Sequence, residues 1–418
     1  MTTFTFIFVI FLTIATFTQL WLARRQAFHI EKNKTKVPPE FKDKISEKDH
    51  SMAANYSLAR LNIQKLAIIT SCIMLVIWTL GGFLAWLNQF VINFQISPIA
   101  QGVILLCLIF LIEMFINFPL EIYSTFKIES KYGFNRNTPL RFMKDKLLQT
   151  LIFAVLGVPI LYVIIKLMTE AGIYWWIWTW ITWMGFSFFL SWAFPTLIAP
   201  IFNKFEPLEN ASLKERLEKL LTKSDFRSNG MFVMDGSKRS SHGNAYFTGI
   251  GKNKRIVFFD TLLDCLSDEQ IEAVLAHELG HFKHKHVSKM IKLNGLLSLA
   301  GLALLGWLSQ QNWFFSSFGI ENYSEAASLA IFFLIIPVFT FFLTPLKSLM
   351  SRKHEYEADN FAAEITDAQW LIDGLTNMYK DNASTVTSDS IYSAFYYSHP
   401  SAIDRVSNLV NKLNNKVL

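Results

Sequence analysis

The sequence predicts a mainly α, polytopic membrane protein in which seven transmembrane helices are joined to a polar α+β domain on the cytoplasmic side. Three observations carry this reading. Of 418 residues, 52% are hydrophobic and only 17% charged, where a soluble globular chain has about a quarter charged. Seven apolar runs, 3–23, 66–92, 99–120, 148–168, 174–201, 291–309 and 326–346, are long enough to cross about 30 Å of hydrocarbon as helices. Two long polar segments, 202–290 and 347–418, are left to fold outside the bilayer.

The first run has no basic region ahead of it and no small-residue cleavage site. It ends in "WLARRQ", a Trp anchor followed by arginines, and reads as a retained span. Residues 24–65 hold ten Lys and Arg and residues 119–147 hold six, whereas the connections 93–98, 169–173 and 310–325 hold none. Lys and Arg mark the cytoplasmic side. The N-terminus is therefore expected outside, and both polar segments inside. The net charge of +6 follows from this distribution, and no nucleic-acid partner is expected. Five tryptophans between Ile173 and Trp183 read as interfacial anchors of span five. Cys72, Cys107 and Cys265 cannot build a disulfide framework. A chain rich in Lys, Asn, Ile and Phe with short connections suggests a bacterial inner membrane, with the ER membrane as the counterpart in a eukaryote.

The chemistry is concentrated in "AVLAHELGHFKHKHV", Ala273 to Val287. On a helix, His277 and His281 project from one face one turn apart and can share a zinc ion. Glu278 then stands beside the metal, placed to take a proton from water held there. A catalytic zinc needs a third protein ligand and one open position. Just after the last apolar run, "SRKHEYEADNFAAE" places Glu355 and Asp359 four apart on one helical face. One carboxylate can bind the metal while the other fixes a ligand imidazole from behind. Spacing alone permits Glu355 or Glu357 as the ligand, and a solvated acidic helix face would look the same.

With these motifs in order, the chain resembles the integral-membrane zinc metallopeptidases that include the type I CAAX prenyl proteases and, more distantly, the heat-shock membrane proteases. "ESKYGFNRNT", "APIFNKFEPL", "DGSKRSSHGNAYFTGIGKNKRIVFFDTLL" and "YYSHPSAIDRV" resemble segments of the prenyl-protease branch in the same order. The resemblance implies one zinc per chain held by His277, His281 and Glu355, with Asp359 behind a ligand and Glu357 not a ligand. It implies substrate backbone contacts at Asn244 and Ala245. It also places His399 and Arg405 near the open metal position, where His399 would donate to the oxyanion and Arg405 would orient His399 or a carboxylate. A large water-filled helical chamber and a zincin-like protease domain come with it.

The expected organisation is an N-terminal membrane domain, 1–201, with five spans and cytoplasmic loops. A metallopeptidase domain, 202–418, follows, with spans six and seven, a zinc helix over 271–287 and a ligand helix over 349–364. "SSHGNAYFTG" and "KRIVFFD" read as two strands of a hairpin turning over Gly249 to Lys254, and an edge strand can take up an extended peptide. His284 and His286 are read as cytosolic-edge residues, and "ESKYGFNRNT" as a segment packing on the protease domain. The expected substrate is a peptide or membrane protein at the lipid bilayer, prenylated or otherwise lipid-anchored. A heat-shock-type quality-control protease and an inactive peptidase-like transporter or scaffold are the alternatives, and an intact Glu278 argues against the second.

Overall fold

The computed structural model describes residues 2–248 and 254–417. Among them, seven helices are long and apolar enough to cross a membrane: Thr3–Asn33, Glu47–Trp78, Pro98–Glu129, Pro139–Glu170, Gly172–Phe202, His286–Leu308 and Glu325–Ile365. Each overlaps one of the seven apolar runs, and most continue well beyond it.

The second differs most from its run. Residues 66–92 are not one helix: the chain breaks after Trp78, Gly82 takes a left-handed φ of 72°, and a separate short helix covers Phe83–Ile92. Gly82 supplies a conformation that L side chains resist. The span is extended at its other end instead, where the Ser46 side chain caps the helix. Residues 47–65 thus form a rod about 28 Å long beyond the apolar part.

Span seven is the centre of the bundle, and its first part, Glu325–Thr340, packs against spans one, three, four and six. Helices in lipid approach through small residues. A Cβ on Gly102 of span three would lie 2.9 Å from Ala326 Cβ and 2.9 Å from Ile165 Cδ1. Span two, by contrast, buries only 11% of its most apolar window. Span three carries Glu113, Asn117 and Glu121 at helical spacing on one face, and Trp78 Nε1 donates to Glu113 at 2.6 Å. A charge at the centre of the bilayer costs about 3 kcal/mol or more, which turns such a face toward the interior of the bundle. Two of the tryptophans read as anchors pack between helices instead. Trp180 donates to the Gly295 carbonyl at 2.9 Å, and Trp176 lies against Gly306, where no side chain intervenes.

The polar domain holds a four-stranded sheet: β1 (Phe205–Pro207), β2 (Met231–Met234), β3 (Ala245–Thr248) and β4 (Arg255–Phe259), in the order β1-β2-β4-β3. β2 and β4 are parallel, and the two outer pairings are antiparallel. The expected pair of strands is present, with Ala245 opposite Phe258 and Thr248 opposite Arg255; residues 249–253 of its turn lie outside the described residues. Ile256, Val257 and Phe258 of β4 are buried, while every residue of β3 is half-buried, as suits an edge strand. The core beneath joins Leu213, Leu217, Leu220 and Leu221 of the helix Ala211–Lys223 to Ile271, Leu275 and Leu279 of the HELGH helix.

The long ends of spans two, three and four reach this domain. Gly133, at φ 83°, turns the segment after span three so that Asn135 bridges Ser240 and Arg136 N–H donates to the Arg239 carbonyl at 3.1 Å. Arg239 in turn grips Asp145 at the start of span four with two hydrogen bonds, 2.7 and 2.9 Å. Those bonds hold its guanidinium above its ordinary pKa.

Candidate metal centre

The HELGH helix, Asp268–Lys283, begins at a capping box in which Ser267 and Gln270 satisfy each other's backbone N–H. Its face carries His277 and His281 with their Nε2 atoms 3.2 Å apart. Glu355, on the helix Thr344–Ile365, completes the set: Oε2 lies 3.4 Å from His277 Nε2, and Oε1 lies 3.4 Å from His281 Nε2. The two helices come this close because Gly280 has no side chain. A Cβ there would sit 2.8 Å from Ala358 Cα.

The donor set fits a metal ion. Tetrahedral ligands at about 2.0–2.1 Å from zinc lie roughly 3.3–3.4 Å from one another; the two Nε2 atoms are 3.2 Å apart, Glu355 faces each imidazole with a different oxygen, and one ligand atom from each residue lies within 4.8 Å of the others. His277, His281 and Glu355 form a group able to hold one ion among the described residues. Glu355 Oε2 is buried without a hydrogen-bond partner among those residues, an acceptor aimed where a cation would stand. The local field also favours positive charge. Burial and Arg405 oppose it at His277, yet hydrogen bonds to Asp359 and Glu355 raise that imidazole to about 9.

Each histidine is supported from behind. His277 Nδ1 is 2.8 Å from Asp359 Oδ1. Arg405 donates to both Asp359 oxygens at 2.7 Å, and all three side chains are buried. Burial works against the Arg405 charge, but the Asp359 carboxylate more than restores it and raises the pKa. Of the two roles expected for Arg405, the one found is to hold a carboxylate.

Behind His281 stands His286, and here the structure corrects the sequence reading. His286 is only 3% exposed rather than a cytosolic-edge residue. Its Nδ1 lies 2.9 Å from His281 Nδ1, and its Nε2 lies 2.8 Å from Glu357 Oε2. Lys285 makes this possible: its left-handed φ of 56° ends the HELGH helix short of the expected 271–287 and starts span six at His286. The ring of His286 also stacks on His354, centroids 4.0 Å apart. Were His281 to hold a metal through Nε2, its Nδ1–H would donate to His286, whose Nε2–H would donate to Glu357. No residue pattern announces this relay, since the turn is made at a lysine.

Glu278 is half-buried, and no side chain bonds it among the described residues. His399 Nε2 lies 3.5 Å from Glu355 Oε2, its side chain 61% accessible, on the wall of a cavity that adjoins the centre. Desolvation by the surrounding protein holds this imidazole below its ordinary pKa against the pull of Glu355. Ala245 opens the edge strand β3 and Asn244 stands immediately before it, rather than either joining the cluster itself. The segment before them is pinned from several sides. Gly243 N–H donates to Asn382 at 3.0 Å, and Thr261 donates to the His242 carbonyl at 3.0 Å. The His242 ring stacks on Phe134, centroids 4.3 Å apart. Tyr56 donates to Glu129 at 2.7 Å, and Glu129 lies 3.5 Å from His242 Nε2. Spans two and three thus hold the start of β3, a role for "ESKYGFNRNT" beyond the packing its sequence suggested.

Residues 26–204 match the family model described as CAAX prenyl protease N-terminal, five membrane helices, and residues 207–413 match that of peptidase family M48. The chain belongs to peptidase family M48. It is 34% identical to the CAAX prenyl protease 1 of Saccharomyces cerevisiae, over 90% of this chain and 89% of that one. It is 30% identical to the Homo sapiens CAAX prenyl protease 1 homolog, over 94% and 92%. The crystal structure of S. mikatae Ste24p superposes with a TM-score of 0.92 at 29% identity, covering 98% of this chain and 99% of that one. This M48 peptidase is therefore a membrane-embedded metalloendopeptidase, with the described cluster as its candidate metal centre.

Proposed function

We propose that this protein is a zinc endopeptidase that cleaves C-terminal CAAX-type, prenylated protein substrates at the cytosolic face of its membrane. The observation that carries this is the meeting of three metal-type ligands, His277, His281 and Glu355, on two helices each continuous with a membrane span or joined directly to one. A zinc ion held by these three residues would polarise the scissile carbonyl and acidify a water molecule. Glu278 takes a proton from the attacking water as its oxygen bonds to the scissile carbon, and later passes that proton to the leaving amine as the C–N bond breaks. His399, neutral near pH 7, donates to the oxyanion that develops on the scissile carbonyl. Asp359 keeps His277 in the tautomer that presents Nε2, and Arg405 keeps Asp359 ionised and in place. Asn244 and Ala245 hold the substrate backbone along β3.

Residues 1–201 serve as the membrane domain and 202–418 as the peptidase domain. The Lys and Arg distribution supports an orientation with the N-terminus outside and the centre on the cytosolic side, in a bacterial inner membrane or, in a eukaryote, the ER membrane. The test is hydrolysis of a farnesylated C-terminal peptide by the purified full-length protein in lipid. Wild type should release the tripeptide that follows the modified cysteine, and Glu278→Gln should bind zinc normally while losing most turnover. Absence of cleavage by zinc-loaded wild type would refute the substrate assignment, and turnover retained by Glu278→Gln would remove Glu278 as the base.

A further inference from the structure

We propose that Arg60 and the cavity around it are the subsite for the free C-terminal carboxylate of the substrate, so that the enzyme measures its cleavage position from the chain end. This rests on the reading above, in which the substrate is a C-terminal CAAX motif and the leaving fragment carries a free carboxylate. A cavity of about 450 Å³ adjoins the metal centre, sharing His399 and Arg405 with it. Its wall is rich in hydroxyls and includes no carboxylate.

Two cations line it. Arg405 is neutralised by Asp359. Arg60 has no carboxylate oxygen within 4.0 Å among the described residues, and lies over the Tyr56 ring with Cζ 5.6 Å from the centroid. The neighbouring Glu129 is already occupied by Tyr56 and His242. On the same wall the Tyr396 hydroxyl is buried without a hydrogen-bond partner among those residues. The cavity thus holds a cation that no carboxylate contacts among the described residues, with Glu129 acting on it only at longer range, and an unused donor, and its wall lacks an anionic acceptor.

Direction points to the same end. Asn382 lines the cavity and accepts from Gly243 N–H, just ahead of β3. A peptide added antiparallel to β3 runs its C-terminus toward this end of the strand. Three extended residues reach about 10 Å, the scale of the distance from a scissile bond to a terminal carboxylate in such a substrate.

The test uses zinc-loaded full-length enzyme and one prenylated peptide in two forms, free acid and C-terminal amide. Wild type should show a KM for the acid about tenfold or more below that for the amide. Arg60→Gln should raise the acid KM by about the same factor while leaving its kcat, the amide KM and the zinc content unchanged; Arg60→Lys should fall between. Equal KM values for acid and amide in wild type would overturn the proposal, as would a change of both by the same factor in Arg60→Gln. Should no prenylated peptide be cleaved, the functional reading fails, and the subsite is judged by direct binding of the aliphatic tripeptide acid against its amide. Preference for the acid that is lost in Arg60→Gln supports the subsite, and no preference overturns it. Should Arg60→Gln fail to fold, the acid-to-amide ratio of wild type and of Arg60→Lys decides.

Discussion

The two histidines of HELGH differ in what stands behind them. His277 is backed by Asp359, which is wholly buried, and Asp359 by a buried Arg405, so a complete ion pair is sealed from water. His281 is backed by a second imidazole, His286, and the chain ends at Glu357, whose side chain is 28% accessible and lies 3.9 Å from Lys289. The first arrangement is costly to break because removing one charge strands the other in a buried position. The second ends at a carboxylate that water can reach, so its outer member contributes orientation more than stability.

The difference orders the mutational effects. Arg405→Ala leaves the buried Asp359 carboxylate with only the His277 imidazole beside it, and should destabilise the protein by about 3 kcal/mol with loss of tightly bound metal. Thermal unfolding in detergent, with metal analysis alongside, checks it; a melting temperature near that of wild type would place Asp359 in a wetter setting than the one described. His286→Phe keeps the ring stacked on His354 but removes the acceptor for His281. Supporting groups of this kind typically contribute about 10–100-fold in metal affinity, so chelator competition should show a loss of that order with the fold intact. Unchanged affinity would mean that His281 is oriented without the relay. Glu357→Gln still offers an amide oxygen to His286 Nε2–H, and should weaken metal binding by only a few-fold. A loss as large as that of His286→Phe would promote Glu357 from the end of the relay to a ligand.

Much of this site can be read from the sequence because its key residues share helical spacing. His277 and His281 are four apart, as are Glu355 and Asp359, and a period close to that of a helical turn places each pair on one face without knowledge of the fold. The seven spans are readable for a similarly local reason, the length needed to cross hydrocarbon. The burial of His286 is not legible because it depends on a left-handed turn at Lys285, where neither Gly nor Asn signals one. Tyr56, Glu129 and His242 come from three distant segments, and only the tertiary fold brings them together. The end of span two is hidden for a different reason. "LGGF" at residues 80–83 is a visible break, but the apolar run continues to residue 92 and masked it.

The proposed mechanism depends most on His277, His281 and Glu355 sharing one zinc ion. Metal analysis of purified full-length protein, wild type beside Glu355→Ala, tests that most directly. One zinc per chain in wild type and essentially none in the folded variant is the predicted result; a folded Glu355→Ala protein that keeps its full complement of zinc would contradict it.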